Sequence, residues 1–316
     1  MMKSLRPLDA LFSLYHLLLA VFVFAGAASI PAWPLLAAYN VLLAVLIVYI
    51  SRRAQALPES PGAGGRFLKA LHFWYLVPAL IVIYKQMYVL VPALRPGLYD
   101  EVLIAADRLI FRMDITTKMF RIASPLITEI LQIAYGSFYL LPLVLGAEII
   151  RRKMFRAFDF SSFCVILGFF LAYLGYFIFP AIGPRFTLHD FYAVNTDLPG
   201  MFFTNGIREF VNVGAGASSA HPRAAQLIQR DVFPSAHTQL TLAVMYLSVR
   251  LRTAVRFFLV PVGLLLVLST VYLRYHYLVD VVGGLVFCCV TLFAARPLYN
   301  AWQSFRGKEA FSFTRP

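Results

Sequence analysis

The sequence predicts an all-α, polytopic membrane protein, a helical bundle with about eight transmembrane helices. Apolar residues make up 60% of the 316-residue chain and charged residues only 14%. About a quarter of the residues in an ordinary soluble domain are charged, so a soluble enzyme is excluded. The aromatic content of 16% also excludes a disordered or fibrous protein. A lipid bilayer is the solvent that such a composition requires.

Eight apolar segments follow one another along the chain. They cover residues 8–29, 33–51, 67–91, 124–150, 161–180, 236–250, 257–274 and 278–299. The sixth is short for a span. We therefore divide the chain into two extra N-terminal helices in 1–66, a main membrane domain in 67–300 and a cytoplasmic tail in 301–316.

The first segment also has features of a signal peptide. Lys3 and Arg6 precede its apolar run, and Ala25-Gly26-Ala27 is similar to a cleavage site. The run is long and has few polar residues, so we expect an uncleaved first helix.

The distribution of Lys and Arg predicts that both termini are cytoplasmic. With the N-terminus inside, 17 of the 28 basic residues lie in inner pieces, ten lie in outer pieces and Lys85 lies within a span. This is the bias that marks cytoplasmic loops. The net charge of +13 is thus a topology signal and does not indicate nucleic-acid binding.

Two segments on the predicted outer side are longer than a connection requires. Residues 98–113 carry apolar side chains at helical spacing, which predicts an amphipathic helix on the outer interface. Residues 181–233 form a long loop that contains Gly, Pro, Asn, His and Arg. Loops of this length in compact folds are often functional.

A histidine cluster begins the sixth span. Pro234 and Ser235 are typical of a helix start, which places His237 in the first helical turn. Free amides and positive potential at such an end suit a phosphate group. The alternative is a helix cap with a buried structural histidine.

A second cluster precedes the eighth span. If residues 276–280 are helical, His276 and Asp280 share one face. The carboxylate can then accept a hydrogen bond from one imidazole nitrogen and leave the other free to attack or abstract. The alternative is a structural His–Asp pair that pins two helix ends.

Cations stand beside these clusters. Arg185 follows the fifth span, and a guanidinium suits bidentate phosphate binding, although it also suits a lipid headgroup. Two histidines, an aspartate and two arginines thus come from the outer ends of the fifth to eighth spans. A cation-lined pocket with paired histidines suits phosphoryl transfer.

These motifs resemble those of the type 2 phosphatidic acid phosphatase superfamily, namely Lys-x6-Arg-Pro, Pro-Ser-Gly-His and Ser-Arg-x5-His-x3-Asp. The chain has Pro234-Ser235-Ala236-His237, Ser269-Thr270 followed by His276 and Asp280, and Gly183-Pro184-Arg185 in place of the first motif, without its lysine. The resemblance covers about 98–290. Phe233-Pro-Ser-x-His and Tyr272-Leu-x-x-His-Tyr-x-x-Asp are similar to the inositol phosphorylceramide synthase-like branch.

The resemblance implies a six-helix catalytic core and an enzyme that needs no metal and no cofactor. His276 would attack the lipid phosphate to form a phosphohistidine, and Asp280 would orient it. His237 would protonate the leaving alcohol and then activate the acceptor. Arg185 would hold phosphate oxygens, and Ser235 would help through its hydroxyl or its amide.

Further residues are candidates for headgroup contact. Thr270 replaces the arginine of the third motif, and we hypothesise that Arg274 takes its place. Lys85 either supplies the missing cation of the first motif or snorkels to the interface. The spacing of the loop histidines, His189 and His221, fits no metal pattern, so they are solvated or touch a headgroup.

Water or an alcohol can resolve the phosphohistidine, so the chain is predicted to be a phosphatase or a phosphotransferase. Its partners would be a phospholipid or lipid phosphate donor and a ceramide or diacylglycerol acceptor. The site would face the periplasm, the cell exterior or a lumen. The alternatives are a lipid transporter or flippase, which would place charges near the midplane, and an inactive membrane homologue.

Overall fold

The computed structural model describes residues 5–58, 62–218 and 220–313. Over these residues every regular element is a helix, so the predicted class, an all-α polytopic bundle, is confirmed. Four of these helices are long and apolar enough to cross a membrane, and six spans result if each of two bent helix pairs counts as one.

Contacts divide the chain into two compact units. The first consists of the described part of Met1–Pro96 together with Ala295–Phe311. The second consists of Gly97–Ala294 and the described part of Ser312–Pro316.

The first unit holds four helices from the N-terminal part of the chain. They are α1 (Pro7–Ala25), α2 (Trp33–Gln55), α3 (Ala63–Trp74) and α4 (Leu76–Leu94). Asp9 is fully buried, and its carboxylate accepts hydrogen bonds from Arg6, Ser51 and Tyr75 and lies 3.0 Å from the His72 ring. This pairing is what a charged group inside an apolar bundle requires.

The second unit holds the other helices. They are α5 (Asp100–Phe111), α6 (Ile115–Met119), α7 (Pro125–Gly136), α8 (Leu140–Arg151), α9 (Phe155–Gly175), α10 (Pro184–Thr187), α11 (Val194–Asp197), α12 (Thr204–Gly214), α13 (Ala224–Leu227), α14 (Ala236–Arg250), α15 (Arg256–Tyr272) and α16 (Leu278–Phe305), with a 3-10 turn at Phe120–Ile122. The last of these begins in the second unit and ends in the first.

Helix α14 packs against α9 and α15, and a buried amide ties it to two neighbours. Nε2 of Gln239 donates to the carbonyl of Gly168 on α9 at 2.9 Å and to Oγ1 of Thr291 on α16 at 3.0 Å. Gly168 has no side chain, so Leu240 fits against the backbone of α9 at this point. Small residues and interhelical hydrogen bonds of this kind hold helices together in lipid.

The two long segments of the sequence are both structured. The predicted amphipathic helix in 98–113 is confirmed as α5, which buries Leu103 and Ile104 and exposes Leu109 and Ile110. The predicted loop 181–233 contains four short helices, α10 to α13. Polar and apolar residues alternate in it without one long apolar run, which is why it does not continue as a span.

Candidate active site

The start of α14 sets the position of His237. The hydroxyl of Ser235 accepts hydrogen bonds from the amide of Thr238 at 3.2 Å and from its hydroxyl at 3.1 Å. Ser235 is thus the N-cap of α14, as the sequence predicts. Its amide donates to the carbonyl of Asp280 at 3.0 Å, so the two histidine-containing motifs are joined through their backbones.

The end of α15 sets the position of His276. Arg274 adopts a left-handed conformation, with φ 66°, just past the helix, where glycine is the usual residue. The amides of Tyr275 and His276 both donate to the carbonyl of Thr270 at 3.0 Å. The Thr270 hydroxyl bonds Val267 within its own helix, so this side chain supplies no substitute for the missing arginine.

His276 and Asp280 meet through a turn. Helix α16 begins at Leu278, so His276 precedes it, and helical spacing does not account for the pair. Nδ1 of His276 lies 3.5 Å from Oδ2 of Asp280. That oxygen accepts the amide of Tyr277 at 2.8 Å, while Oδ1 of the fully buried carboxylate has no hydrogen-bond partner among the described residues.

The two histidine rings lie next to each other at the junction of α14 and α16, with centroids 5.9 Å apart and ring planes tilted by 58°. Tyr135 stacks on His237 at 4.4 Å, and Phe138 packs on the same ring at 4.3 Å. Burial lowers the pKa of His276 from 6.5 to about 4, and the charge of Asp231 opposes this shift. His276 is therefore a neutral imidazole at neutral pH, with a lone pair on one ring nitrogen.

Arg185 is the cation of this junction. It is buried, its Nη1 donates to Oδ1 of Asn212 at 2.6 Å, and its Cζ lies 4.8 Å from the Tyr275 ring centroid. Its Nε has no hydrogen-bond partner among the described residues. The charge of Arg185 also acts to lower the pKa of His276, so the guanidinium lies within electrostatic reach of the ring. A free donor beside a neutral imidazole is the arrangement that an anion requires.

The backbones of Arg274 and Arg185 are in contact, because the Arg185 amide donates to the Arg274 carbonyl at 3.1 Å. Gly183, with φ 93°, allows this approach, since a side chain there would come within 3.0 Å of the Tyr275 carbonyl. Nη1 of Arg274 pairs with Asp197 at 2.7 Å. Its buried Nε, like that of Arg185, has no partner in the described part of the chain.

The other candidate residues make contacts within their own segments or with neighbouring ones. His189 is half-buried with Nε2 3.0 Å from the Thr116 hydroxyl, and burial lowers its pKa to about 4. His221 accepts the Arg223 amide on Nδ1 at 3.1 Å, within its own loop. Lys85 is an exposed residue of α4 in the first unit, with its Nζ 5.7 Å from the Tyr84 ring centroid.

Two carboxylates on α5 hold the site and were not singled out from the sequence. Asp100 accepts the amides of Ile182 and Gly183 and the Tyr277 hydroxyl. Asp107 accepts the amides that open α16, those of 278 and 279, at 2.9 and 2.7 Å. Their spacing of seven residues on a predicted amphipathic helix places them on one face, and this is the signal that identifies them.

Asn212 and Asp197 orient the two arginines and were also missed. Each lies in the predicted loop 181–233, where nothing in the sequence distinguishes it from other polar residues. Among the residues that the structure describes, no group of three or more His, Cys, Asp or Glu side chains is arranged to hold a metal ion.

Comparisons with known proteins identify the family of this chain. Residues 100–294 match the model of the PAP2 superfamily. A PA-phosphatase related-family protein of Dictyostelium discoideum is 27% identical over 182 residues, which cover 51% of this chain and 31% of that relative. The chain thus spans about a third of the relative's length, and no solved structure matches. The family match covers more than half of the chain and includes both histidines, Asp280 and both arginines, so the chain belongs to the PAP2 superfamily.

Proposed function

We propose that the protein is an integral membrane lipid-phosphate phosphatase or phosphotransferase that works through a phosphohistidine on the non-cytoplasmic side. One observation carries the proposal: two imidazole rings 5.9 Å apart lie within electrostatic reach of the buried Arg185 guanidinium, inside the segment that matches the PAP2 superfamily. The Nε of this guanidinium has no hydrogen-bond partner among the described residues. Nucleophile, acid and anion-binding group are the parts that phosphoryl transfer needs.

In the first step a ring nitrogen of His276 attacks phosphorus, and the ester P–O bond breaks. Nδ1–H of His276 donates to Asp280, which frees the other nitrogen to attack and stabilises the positive charge that develops on the ring. The present separation of 3.5 Å is long for a hydrogen bond, and such contacts tighten when substrate binds. His237 gives its proton to the oxygen of the leaving alcohol.

In the second step the acceptor attacks the phosphohistidine. His237, now neutral, takes the proton from the acceptor O–H, the P–N bond breaks, and His276 leaves with its lone pair restored. With a phosphomonoester donor such as phosphatidate, water as acceptor gives free phosphate. With a phosphodiester donor such as phosphatidylinositol, the headgroup stays on the phosphohistidine, and a lipid alcohol such as ceramide or diacylglycerol gives a new phosphodiester. The motif resemblance to inositol phosphorylceramide synthases points to this second reaction.

Arg185 and Arg274 stabilise the charge on the phosphate oxygens. Both have a buried Nε without a protein partner among the described residues, and their backbones are hydrogen-bonded to each other. Arg185 faces the histidines, whereas Arg274 is neutralised in part by Asp197. We therefore expect Arg185→Ala to cost more activity than Arg274→Ala. Equal turnover and affinity in Arg274→Ala and the native chain would exclude Arg274 from the clamp.

The test is a product assay on the full chain in detergent. Labelled phosphatidate, a lipid pyrophosphate and phosphatidylinositol are offered, each with and without ceramide, and free phosphate is scored against labelled lipid. The test variant is His276→Ala. Its matched control is His221→Ala, which alters a histidine of the loop 181–233. We expect His276→Ala to lose turnover and to form no phosphoenzyme that can be trapped. His221→Ala should keep both.

Equal activity of the native chain and His276→Ala would refute the phosphohistidine mechanism. Activity in neither, with both chains folded, would instead favour a lipid transporter or an inactive homologue. Label in a ceramide product identifies a phosphotransferase, and label only in free phosphate identifies a phosphatase.

A further inference from the structure

Helix α12 presents three different strips of side chains. The residues at 204, 208 and 212 are polar and buried, and they face the protein. Asn205, which is exposed, and Glu209, whose carboxylate accepts the Ser218 hydroxyl, form a polar strip on a second side. The third side is apolar and exposed: Phe210 is 78% exposed and Val213 57%. Phe203, the N-cap, and Phe202 before it are 62% and 81% exposed.

The helix lies against a membrane-spanning segment. The carboxylate of Glu129 on α7 accepts the amides of 201–203 at 2.6–3.1 Å. One turn into α12, Ile207 packs on Gly136, where a Cβ would come within 2.9 Å of its methyl group. These two contact points are seven residues apart on α7, about 10 Å along its axis.

The apolar strip of α12 therefore adjoins apolar side chains of α7 that are also exposed, since Ile130 and Ile133 are each 45% exposed. With α8, that helix forms a bent pair that is long and apolar enough for one membrane span. A large apolar patch rimmed by polar residues marks an interaction surface. A helix with one apolar strip, one polar strip and a position beside a span has the form of an interfacial helix.

We propose that α12 lies in the membrane interface, with Phe203, Phe210 and Val213 in the lipid and with Asn205 and Glu209 toward water. The occupant of the exposed strip is lipid, because the strip adjoins exposed apolar side chains of a helix pair that is long and apolar enough for one membrane span.

This position has a consequence that rests on the proposed function. Asn212, on the buried strip, holds Arg185, and Arg208 bonds the carbonyl of Leu198, next to the Asp197 that pairs with Arg274. One interfacial helix thus sets the depth of both guanidinium groups, at the level where the phosphate of a membrane lipid lies.

Nitroxide scanning tests the lipid contact without any assay of activity. Cys289→Ser removes the exposed cysteine, while Cys164 and Cys288 are buried. Single labels are placed at Phe210→Cys and, as the matched control on the same helix, at Asn205→Cys, in chains reconstituted into phosphatidylcholine vesicles. Collision with oxygen reports lipid, and collision with a water-soluble nickel chelate reports solvent.

We expect the oxygen-to-nickel ratio at 210 to exceed that at 205 severalfold. A label at Val213→Cys gives the same result and replaces 210 if that variant does not fold. Equal ratios at 210 and 205 would overturn the proposal, and so would a label at 210 that neither reagent reaches, as in a contact between protein copies. A chain that shows the expected ratios but neither hydrolyses a lipid phosphate nor transfers its phosphoryl group to a lipid alcohol would refute only the proposed reaction.

Discussion

His276 owes its chemistry to the groups that surround it. Its side chain is buried against Asp280 and near Asp231, with Arg185 within electrostatic reach. An exposed histidine is partly protonated at neutral pH and then has no lone pair to offer. Burial keeps this ring neutral, and the nearby carboxylate is placed to stabilise the charge that attack creates.

The rate should therefore persist to unusually low pH. Protonation of His276 removes the nucleophile, and because burial lowers its pKa from 6.5 to about 4, activity is lost only as the pH falls through about 4. The measurement is kcat/KM against pH with p-nitrophenyl phosphate, whose leaving group needs no proton from His237, corrected for the ionisation of the substrate. A midpoint near 6.5 would contradict the buried, neutral ring.

Asn212 should govern the strength of the phosphate clamp. Its Oδ1 accepts a hydrogen bond from Arg185 at 2.6 Å, and hydrogen bonds to charged groups contribute about 1.5–3 kcal/mol. We expect Asn212→Ala to lower kcat/KM for a lipid phosphate roughly tenfold or more. Exposed Asn205→Ala on the same helix is the control. An unchanged kcat/KM in Asn212→Ala would show that Arg185 is held without it.

At the scale of helices, the site depends on how closely α14 and α16 approach. The Ser235 amide donates to the Asp280 carbonyl, and one turn further along α16 Gly284 lies against the backbone of Ser235. A Cβ at Gly284 would come within 2.6 Å of the Ser235 carbonyl and 2.8 Å of the Thr238 Cβ. Backbone atoms cannot yield as a flexible side chain does, so the helices must separate.

Gly284→Ala should thus lower both stability and activity. Overpacking of this kind costs about 1–3 kcal/mol, and the shift moves Asp280 away from its place near His276. Gly206→Ala, within α12 and with nothing inside 4 Å of a new Cβ, is the matched control and should stabilise the chain by about 0.5–1 kcal/mol. Thermal unfolding in detergent checks both, and a Gly284→Ala chain as stable as Gly206→Ala would rule out the close contact.

Helix α5 acts at the same scale. Asp100 fixes the turn that leads to Arg185, and Asp107 caps α16, the helix that carries Asp280. Burial raises the pKa of Asp107, and the two amides it accepts oppose this shift. One short helix therefore contacts both the segment that carries Arg185 and the segment that carries His276 and Asp280.

For the whole molecule, the distribution of basic residues predicts which side the site faces. We expect both termini inside and the histidines outside. Single cysteines at exposed Tyr192 and Lys308, in a Cys289→Ser chain expressed in a bacterial inner membrane, are treated with an impermeant maleimide. Position 192 should react in intact cells and 308 only after permeabilisation. The reverse labelling pattern would show that the topology is the opposite of the predicted one and that the site faces the cytoplasm.

The sequence by itself determined what local chemistry can specify. Apolar composition predicted a helical membrane protein, Pro234-Ser235 predicted the start of α14, and the amphipathic pattern predicted α5, all of which the structure confirms. These features depend on residues a few positions apart, or on composition alone, so no tertiary contact is needed to find them.

Only the tertiary structure decided how the site is held. Asp100 reaches Tyr277 across 177 positions, Arg274 reaches Asp197 across 77, and the helix expected over 276–280 gives way to a turn before Leu278. The burial that lowers the pKa of His276 comes from several segments at once. Long-range partners and desolvation arise when helices pack, and a pattern of neighbouring residues does not contain that information.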